Sequence, residues 1–243
     1  MRETTLQGIN YLETTDTSAV AKKIGTLFKL PKTIDQLGER IARKLNEANY
    51  TISGFEQINI IFNSNKTPGL MTIMQDNTDT SAKSIEIGLS VDSINKLSEK
   101  ELEMMISNFT FQALELISKT NKANLRILSS VNEYIQKFGD NSEIFIKKKE
   151  SDRYLVELSY KVSPHGGNSL LLIKVFDKEL NKSYRGDVLE IIAVEDVKYL
   201  INELSIFNEE IIIKPKQSNT AHLAKLYKMP IIVDITKLEE IKA

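Results

Sequence analysis

Three residues around one apolar stretch have the types and order expected of a metal-dependent hydrolytic site. Asp187 precedes the apolar run 189–194, and Asp196 is separated from Lys198 by a single residue. In such a site the carboxylates would hold a divalent cation and the lysine would steady the attacking nucleophile. Asp196 is equally typical of the first turn of a helix, where the helix dipole favours an acidic side chain. Of these two interpretations we expect the helix start.

Two loops contain the other polar residues that could contact a ligand. His165 and Asn168 lie in a glycine-containing segment, whereas Asp76 and Asp79 lie in a polar segment between two expected strands. Imidazole titrates near neutral pH, so His165 could serve as a base or a ligand, although an exposed loop residue is the expected role. The segment from Asp76 lacks the glycine and the distal glutamate of a calcium loop. We predict that these four residues belong to binding loops and that the chain holds no metal.

The composition excludes several kinds of chemistry. The 243 residues include no cysteine, which rules out disulfides, thiolate nucleophiles and iron–sulfur clusters. The sequence contains neither the glycine patterns of phosphate-binding loops nor the G-x-S-x-G elbow of serine hydrolases. We therefore expect no cofactor and no nucleophile of these classes.

The charge balance and the apolar runs limit the partners and the location. Lys and Arg number 32 against 33 Asp and Glu, so no overall positive charge would attract nucleic acid or anionic lipid. No apolar run approaches the roughly 18 residues that cross a bilayer. The first ten residues lack the apolar core of a signal peptide. These features predict a cytoplasmic protein without nucleic-acid or membrane partners.

Helical periodicity predicts most of the helices. Ser98 and Glu101 form a capping box ahead of an apolar stripe that runs to Ile117. A second box at 130–133 predicts the start of a short helix that ends near Phe138. Further helices are expected at 17–28, 33–48 and 196–204.

The strands predict an α+β fold with mixed, largely antiparallel sheets and helices packed on one face. Three strands between 55 and 89 are joined by short turns, which indicates an antiparallel meander. The polar segment 121–124 is the predicted boundary between two subdomains, 1–120 and 125–243, and a single continuous domain is the alternative. Strand edges near 143–149 and 211–213 could pair with another chain, although lysines guard the first of them.

One segment resembles a known family. The stretches 84–89 (SIEIGL) and 97–102 (LSEKEL), followed by the helix to Ile117, resemble the strand and capped amphipathic helix of small α/β immunity proteins of bacterial polymorphic-toxin systems. The resemblance covers residues 84–117 and assigns a functional role to none of them. It implies a bacterial protein that binds a cognate toxin and blocks it, which requires no active site.

These observations lead to three hypotheses about function. The first is a non-enzymatic protein-binding protein, an immunity-type toxin inhibitor, which should expose an apolar or single-sign patch without a convergent polar pocket. The alternative is a metal-dependent nuclease or hydrolase, in which Asp187 and Asp196 should converge in a cleft with Lys198. The third is a structural protein of a phage or mobile element. The sequence leaves the oligomeric state open.

Overall fold

The chain adopts an α+β fold, as the sequence predicts. The computed structural model describes residues 3–15, 21–31, 33–74, 81–164, 167–216 and 225–241. The chain divides into two compact units, Met1–Ser142 with Pro164–Gly166 and Glu143–Ser163 with Gly167–Ala243. The predicted boundary at 121–124 instead forms the start of a helix of the first unit, and the structure places the division at Ser142.

The first unit contains a five-stranded mixed sheet and three long helices. Its strands are β1 (Glu3–Thr5), β2 (Gly8–Thr14), β3 (Lys22–Lys23), β4 (Thr51–Ser53), β5 (Gln57–Asn63), β6 (Met71–Ile73) and β7 (Ala82–Gly88). Its helices are α1 (Thr33–Glu47), α2 (Val91–Ile94), α3 (Glu99–Ser118) and α4 (Lys122–Phe138), followed by a 3-10 turn, Gly139–Asn141. The sheet order is β3-β2-β5-β7-β6, while β1 and β4 pair separately.

The helices cover one face of this sheet and form the core with it. Every second residue of the central strands is apolar and buried, and α1, α3 and α4 contribute the opposing side chains. The Tyr11 hydroxyl lies 2.9 Å from the Thr110 hydroxyl of α3, which gives this buried phenol a hydrogen-bond partner. The predicted packing of helices on one face is therefore confirmed for this unit.

The predicted antiparallel meander is wrong at its centre, because β5 and β7 pair in parallel. The intervening β6 pairs antiparallel on the far side of β7. Gly88 permits this order: a Cβ at this position would stand 2.1 Å from the carbonyl oxygen of Thr67. Since only glycine tolerates such a close approach, the loop can cross the end of β7 and place β6 beyond it.

The predicted helix at 17–28 is also wrong over the residues that can be compared. Residues 16–20 lie outside the described residues, and 21–31 form β3 and a bent segment. The Glu13 carboxylate accepts the backbone N–H groups of residues 25–28 at 2.8–3.1 Å. Gly25 adopts φ +122°, a conformation outside the helical region. The backbone donors thus bind a side chain instead of helical carbonyls.

The two predicted capping boxes have different outcomes. Ser98 caps α3 and exchanges the expected hydrogen bonds with Glu101, so the first box is confirmed. The second box lies inside α4, which begins at Lys122. Its cap is Asn121, whose side-chain oxygen accepts the N–H groups of Ala123 and Asn124 at 3.1 Å.

The second unit consists of two antiparallel sheets over a shared apolar core. Its strands are β8 (Glu143–Glu150), β9 (Tyr154–Lys161), β10 (Ser169–Asp177), β11 (Lys182–Ile191), β12 (Glu203–Phe207), β13 (Glu210–Lys214), β14 (Ile231–Asp234) and β15 (Glu239–Glu240). The helical elements are α5 (Val197–Leu200) and the 3-10 turns Val194–Asp196 and Ile235–Lys237. The sheet orders are β15-β11-β10-β9-β8 and β12-β13-β14.

The helix predicted at 196–204 is shorter than expected. It ends at Leu200, and Leu204 lies in β12. The backbone N–H of Asn202 donates to the carbonyl of Lys214 at 3.0 Å, so pairing with β13 replaces the next helical turn. In the part of the chain that the structure describes, no helix has the length and apolar character needed to span a membrane.

Candidate functional site

A groove of about 660 Å³ lies beside β14 in the second unit. Residues 185–188 of β11 form one wall, and β14 forms another. The 3-10 turn after β14 and the short strand β15 close the groove at one end. The groove therefore lies where a strand at the edge of one sheet faces residues of the other sheet.

The open edge of β14 faces this groove. β14 pairs with β13, and Ile235 just beyond it donates its N–H to the carbonyl of Glu209 at 2.8 Å. Hydrogen-bonded positions alternate along an antiparallel pair, so Val233 and Ile231 also face β13 with their backbone groups. Ile232 and Asp234 consequently turn their N–H and C=O groups away from β13. The Asp234 carbonyl begins the 3-10 turn Ile235–Lys237 as its first acceptor. Among the described residues no backbone group pairs on that side with the Asp234 N–H or with the N–H and C=O of Ile232.

Close packing against β11 forms the floor of the groove. A Cβ on Gly186 would stand 2.6 Å from the Cδ2 atom of Leu238, so this leucine packs directly on the backbone of β11. β15 then pairs with the first half of β11, at Tyr184 and Arg185. These contacts attach the closed end of the groove to the larger sheet.

The groove has an excess of uncompensated negative charge. Its two cationic side chains are held in ion pairs, Arg185 with Glu143 at 3.0 Å and Lys237 with Asp234 at 3.2 Å. Asp187 and Glu239 are exposed and have no ion pair with any described residue. A ligand in this groove would therefore meet two carboxylates that have no cationic partner among the described residues.

The end of β14 is fixed by hydrogen bonds to Asp234. The hydroxyl and the backbone N–H of Thr236 both donate to Asp234 Oδ1, at 2.6 and 3.0 Å. These hydrogen bonds, together with Lys237, lower the pKa of the Asp234 carboxyl. The cap is thus ionised at neutral pH and holds the turn that closes the groove.

Two isoleucines give the groove exposed apolar surface. The side chain of Ile232 is 59% exposed and that of Ile241 is 44% exposed. Both line the groove together with the partly buried Leu238. Exposed aliphatic side chains beside an unpaired strand edge are typical of a surface that another polypeptide covers.

The structure separates the three residues of the expected hydrolytic site. Asp187 lies on β11 in the groove, whereas neither Asp196 nor Lys198 is among the described residues that line it. The Asp196 carboxylate accepts the Tyr227 hydroxyl at 2.6 Å, and the Lys198 ammonium lies 4.8 Å from the ring centroid of Tyr199. Over the described part of the chain, no three His, Asp or Glu side chains form a group that could hold a metal.

Burial raises the pKa of Tyr227, and its hydrogen bond to Asp196 raises it further. The Tyr227 oxygen also accepts the backbone N–H of Ile192 at 3.0 Å. Asp196 precedes α5 without capping it, because its side chain is directed to this tyrosine. Asp196 thus stands at the start of a helix, as expected. Its carboxylate binds the Tyr227 hydroxyl and makes no capping hydrogen bond to the helix.

One of the four residues predicted for binding loops can be placed. Asn168 is exposed, and its Nδ2 donates to Glu190 Oε2 at 3.0 Å. This contact joins the ends of β10 and β11. His165, Asp76 and Asp79 lie outside the described residues.

A second polar cluster lies at the carboxyl ends of the parallel strands in the first unit, a common ligand position in α/β sheets. The buried Glu86 accepts Asn63 Nδ2 at one oxygen and Lys66 Nζ at the other, both at 2.7 Å. Both carboxylate oxygens are therefore occupied from within the unit. This arrangement stabilises the loop after β5 and leaves Glu86 no free oxygen for a ligand.

Sequence reasoning placed the open edge one strand away from its actual position. The predicted edge at 211–213 is β13, which is central and pairs on both sides. β12 and β14 are the two edges of this sheet, and an apolar run alone could not reveal which strand lacks a neighbour. The edge predicted at 143–149 is found, because β8 is the last strand of its sheet. Comparisons of the chain with family models, curated proteins and solved structures found no match.

Proposed function

We propose that this protein is a non-enzymatic protein-binding protein whose partner occupies the groove beside β14. The class that we favour is an immunity-type inhibitor that binds and neutralises a bacterial toxin in the cytoplasm. The observation that carries the proposal is the open edge of β14, which faces a groove with exposed isoleucines and with carboxylates that form no ion pair to a described residue.

Recognition fits this groove better than catalysis does. The groove brings together exposed apolar side chains and backbone hydrogen-bonding groups, which are the components of protein–protein contacts. The acids expected for hydrolysis do not meet in it, and Asp196 is engaged by Tyr227. The toxin assignment rests on the sequence resemblance at 84–117, and the protein-binding assignment rests on the groove.

Capture of a partner tests the proposal. Tagged wild-type protein and the variant Ile232→Glu would be incubated with lysate of the source organism, and retained proteins would be identified by mass spectrometry. Leu180→Glu is the matched control, because Leu180 is 54% exposed and is not among the groove residues. We expect a partner that wild type and Leu180→Glu retain and that Ile232→Glu loses.

The captured partner would then be expressed alone and together with this chain. An immunity-type inhibitor predicts growth arrest by the partner alone and rescue on co-expression with the wild type. A partner that is harmless when expressed alone would refute the toxin assignment. Failure of the wild type to retain any protein, or equal retention by all three proteins, would refute binding at the groove.

A further inference from the structure

We propose that β14 accepts an extended segment of a partner protein as an added strand, and that this segment carries both apolar and basic residues. The inference rests on the proposed protein-binding function. It adds the mode of binding and the chemistry of the partner segment.

The backbone of β14 has unused hydrogen-bonding capacity. Ile231 and Val233 face β13, whereas Ile232 directs its N–H and C=O, and Asp234 its N–H, to the open side. An extended segment in the groove would pair with these groups as the next strand of the sheet. The same unit already completes its other sheet in this way, since the two-residue strand β15 pairs with the edge of β11.

Side chains around the edge define the preferred sequence of the segment. The groove offers an added strand both exposed apolar side chains and carboxylates. Apolar side chains of the segment would pack on Ile232 and Ile241, which are exposed in the groove. Basic side chains would pair with Asp187 and Glu239, the two groove carboxylates without an ion pair to described residues.

The sheet edges formed by β8 and β3 are poorer acceptors for such a segment. The edge strand β8 contains Lys147, Lys148 and Lys149, which would repel a basic segment and are typical guards against strand addition. In the first unit the edge strand β3 is two residues long, and both are lysines. β14 therefore combines an open edge with an acidic and apolar surround.

Titration of the ¹⁵N-labelled full-length protein with a blocked heptapeptide of alternating valine and lysine tests the inference. We expect amide shifts at 231–234 and around Asp187 and Glu239. A glutamate counterpart of the peptide should bind about tenfold more weakly, because like charges would meet in the groove. A counterpart with alternate backbone nitrogens methylated should also lose about tenfold, the effect of about one lost hydrogen bond.

Variants at the edge of β14 distinguish the contribution of its backbone to peptide binding from that of the side chains. Ile232→Pro removes an outward N–H without removing a hydrogen bond to β13, and it should bind the lysine peptide about tenfold more weakly. Ile232→Val keeps the N–H and should bind like the wild type. Asp187→Asn should reduce the preference for lysine over glutamate, whereas Asp152→Asn, at an exposed turn residue, should preserve it.

Several outcomes would overturn the inference. Equal affinity for the methylated peptide, or shifts confined to other surfaces, would contradict strand addition. Equal affinity for the lysine and glutamate peptides would contradict selection of a basic segment. Concentration-dependent shifts at 231–234 without peptide would assign the edge to a second copy of this chain. A captured partner that Ile232→Pro retains at the wild-type level would refute strand addition and leave protein binding intact.

Discussion

At the scale of single residues, one buried carboxylate accepts backbone N–H groups that the sequence pattern assigns to a helix. Glu13 is 4% exposed, and its oxygens accept four consecutive backbone N–H groups from 25–28. These hydrogen bonds lower the pKa of Glu13 although burial acts in the opposite direction. The carboxylate therefore does for this bent segment what main-chain carbonyls do for a helix.

Glu13→Gln should destabilise the first unit by about 2 kcal/mol at pH 7, since an amide NH₂ cannot accept the donors that it replaces. The lowered pKa adds a dependence on pH. Its stabilising contribution is full above the unfolded value of about 4.3 and is lost as the pH falls through the folded value. Urea unfolding from pH 3 to pH 7 should show the wild type and the variant converging at acid pH.

Two comparisons make this prediction specific to Glu13. Glu56→Gln, at an exposed position, should differ little from the wild type at any pH. The pKa of Glu103 shifts upward, because its burial outweighs the attraction of Arg40, so it changes stability in the opposite sense. The difference between wild type and Glu13→Gln removes that background. A difference that stayed constant down to pH 3 would contradict the role assigned to the ionised carboxylate.

The sequence pattern could not reveal that Glu13 binds the backbone of 25–28. The helical spacing of Ile24, Leu27 and Phe28 is real, and Phe28 is indeed fully buried. The bent segment satisfies the same burial without a helix, because Glu13 supplies the acceptors. The groove could be predicted only in part. The sequence pointed to Asp187 as a candidate site residue, but no sequence pattern shows that the backbone groups of Ile232 do not pair with β13.

At the scale of helices and strands, the sequence correctly predicts features that depend on residues close together in the chain. The capping box at Ser98 is a contact between residues three apart, and it is present as predicted. Strand partners depend on residues distant in the chain, and here the predicted meander failed. Gly88 shows why, since its role depends on the approach of Thr67, which the local sequence cannot indicate.

The start of α4 can be tested by comparing the observed cap, Asn121, with the cap predicted from the sequence, Ser130. Asn121→Ala removes an acceptor for two backbone N–H groups and should destabilise the first unit by about 1 kcal/mol. Ser130→Ala is the matched control: Ser130 is exposed within the helix, so this variant should be neutral or slightly stabilising. Chemical denaturation followed by circular dichroism would measure both. A larger loss for Ser130→Ala would place the helix start at the second box.

At the scale of the whole molecule, the described chain has two separate apolar cores. One contains residues from the first unit and the other contains residues from Ile144 onward. Compact units with their own cores can unfold as separate cooperative elements. The segment 121–124 looked like a linker in sequence because it is polar, but its asparagine caps a helix. The division at Ser142 lies in a similarly polar run, 139–143 (GDNSE), so polarity alone could not distinguish the two segments.

Matched cavities in the two cores would establish whether the units unfold separately. Ile106 of α3 and Ile173 of β10 are both fully buried, and replacing either with alanine should cost about 2–5 kcal/mol. Hydrogen exchange followed by mass spectrometry would report each unit in the same sample. Ile106→Ala should reduce protection in α3 and β5, whereas Ile173→Ala should reduce protection in β9 and β10. Equal loss of protection throughout the chain for both variants would establish a single cooperative domain, because a cavity in either core would then destabilise every element together.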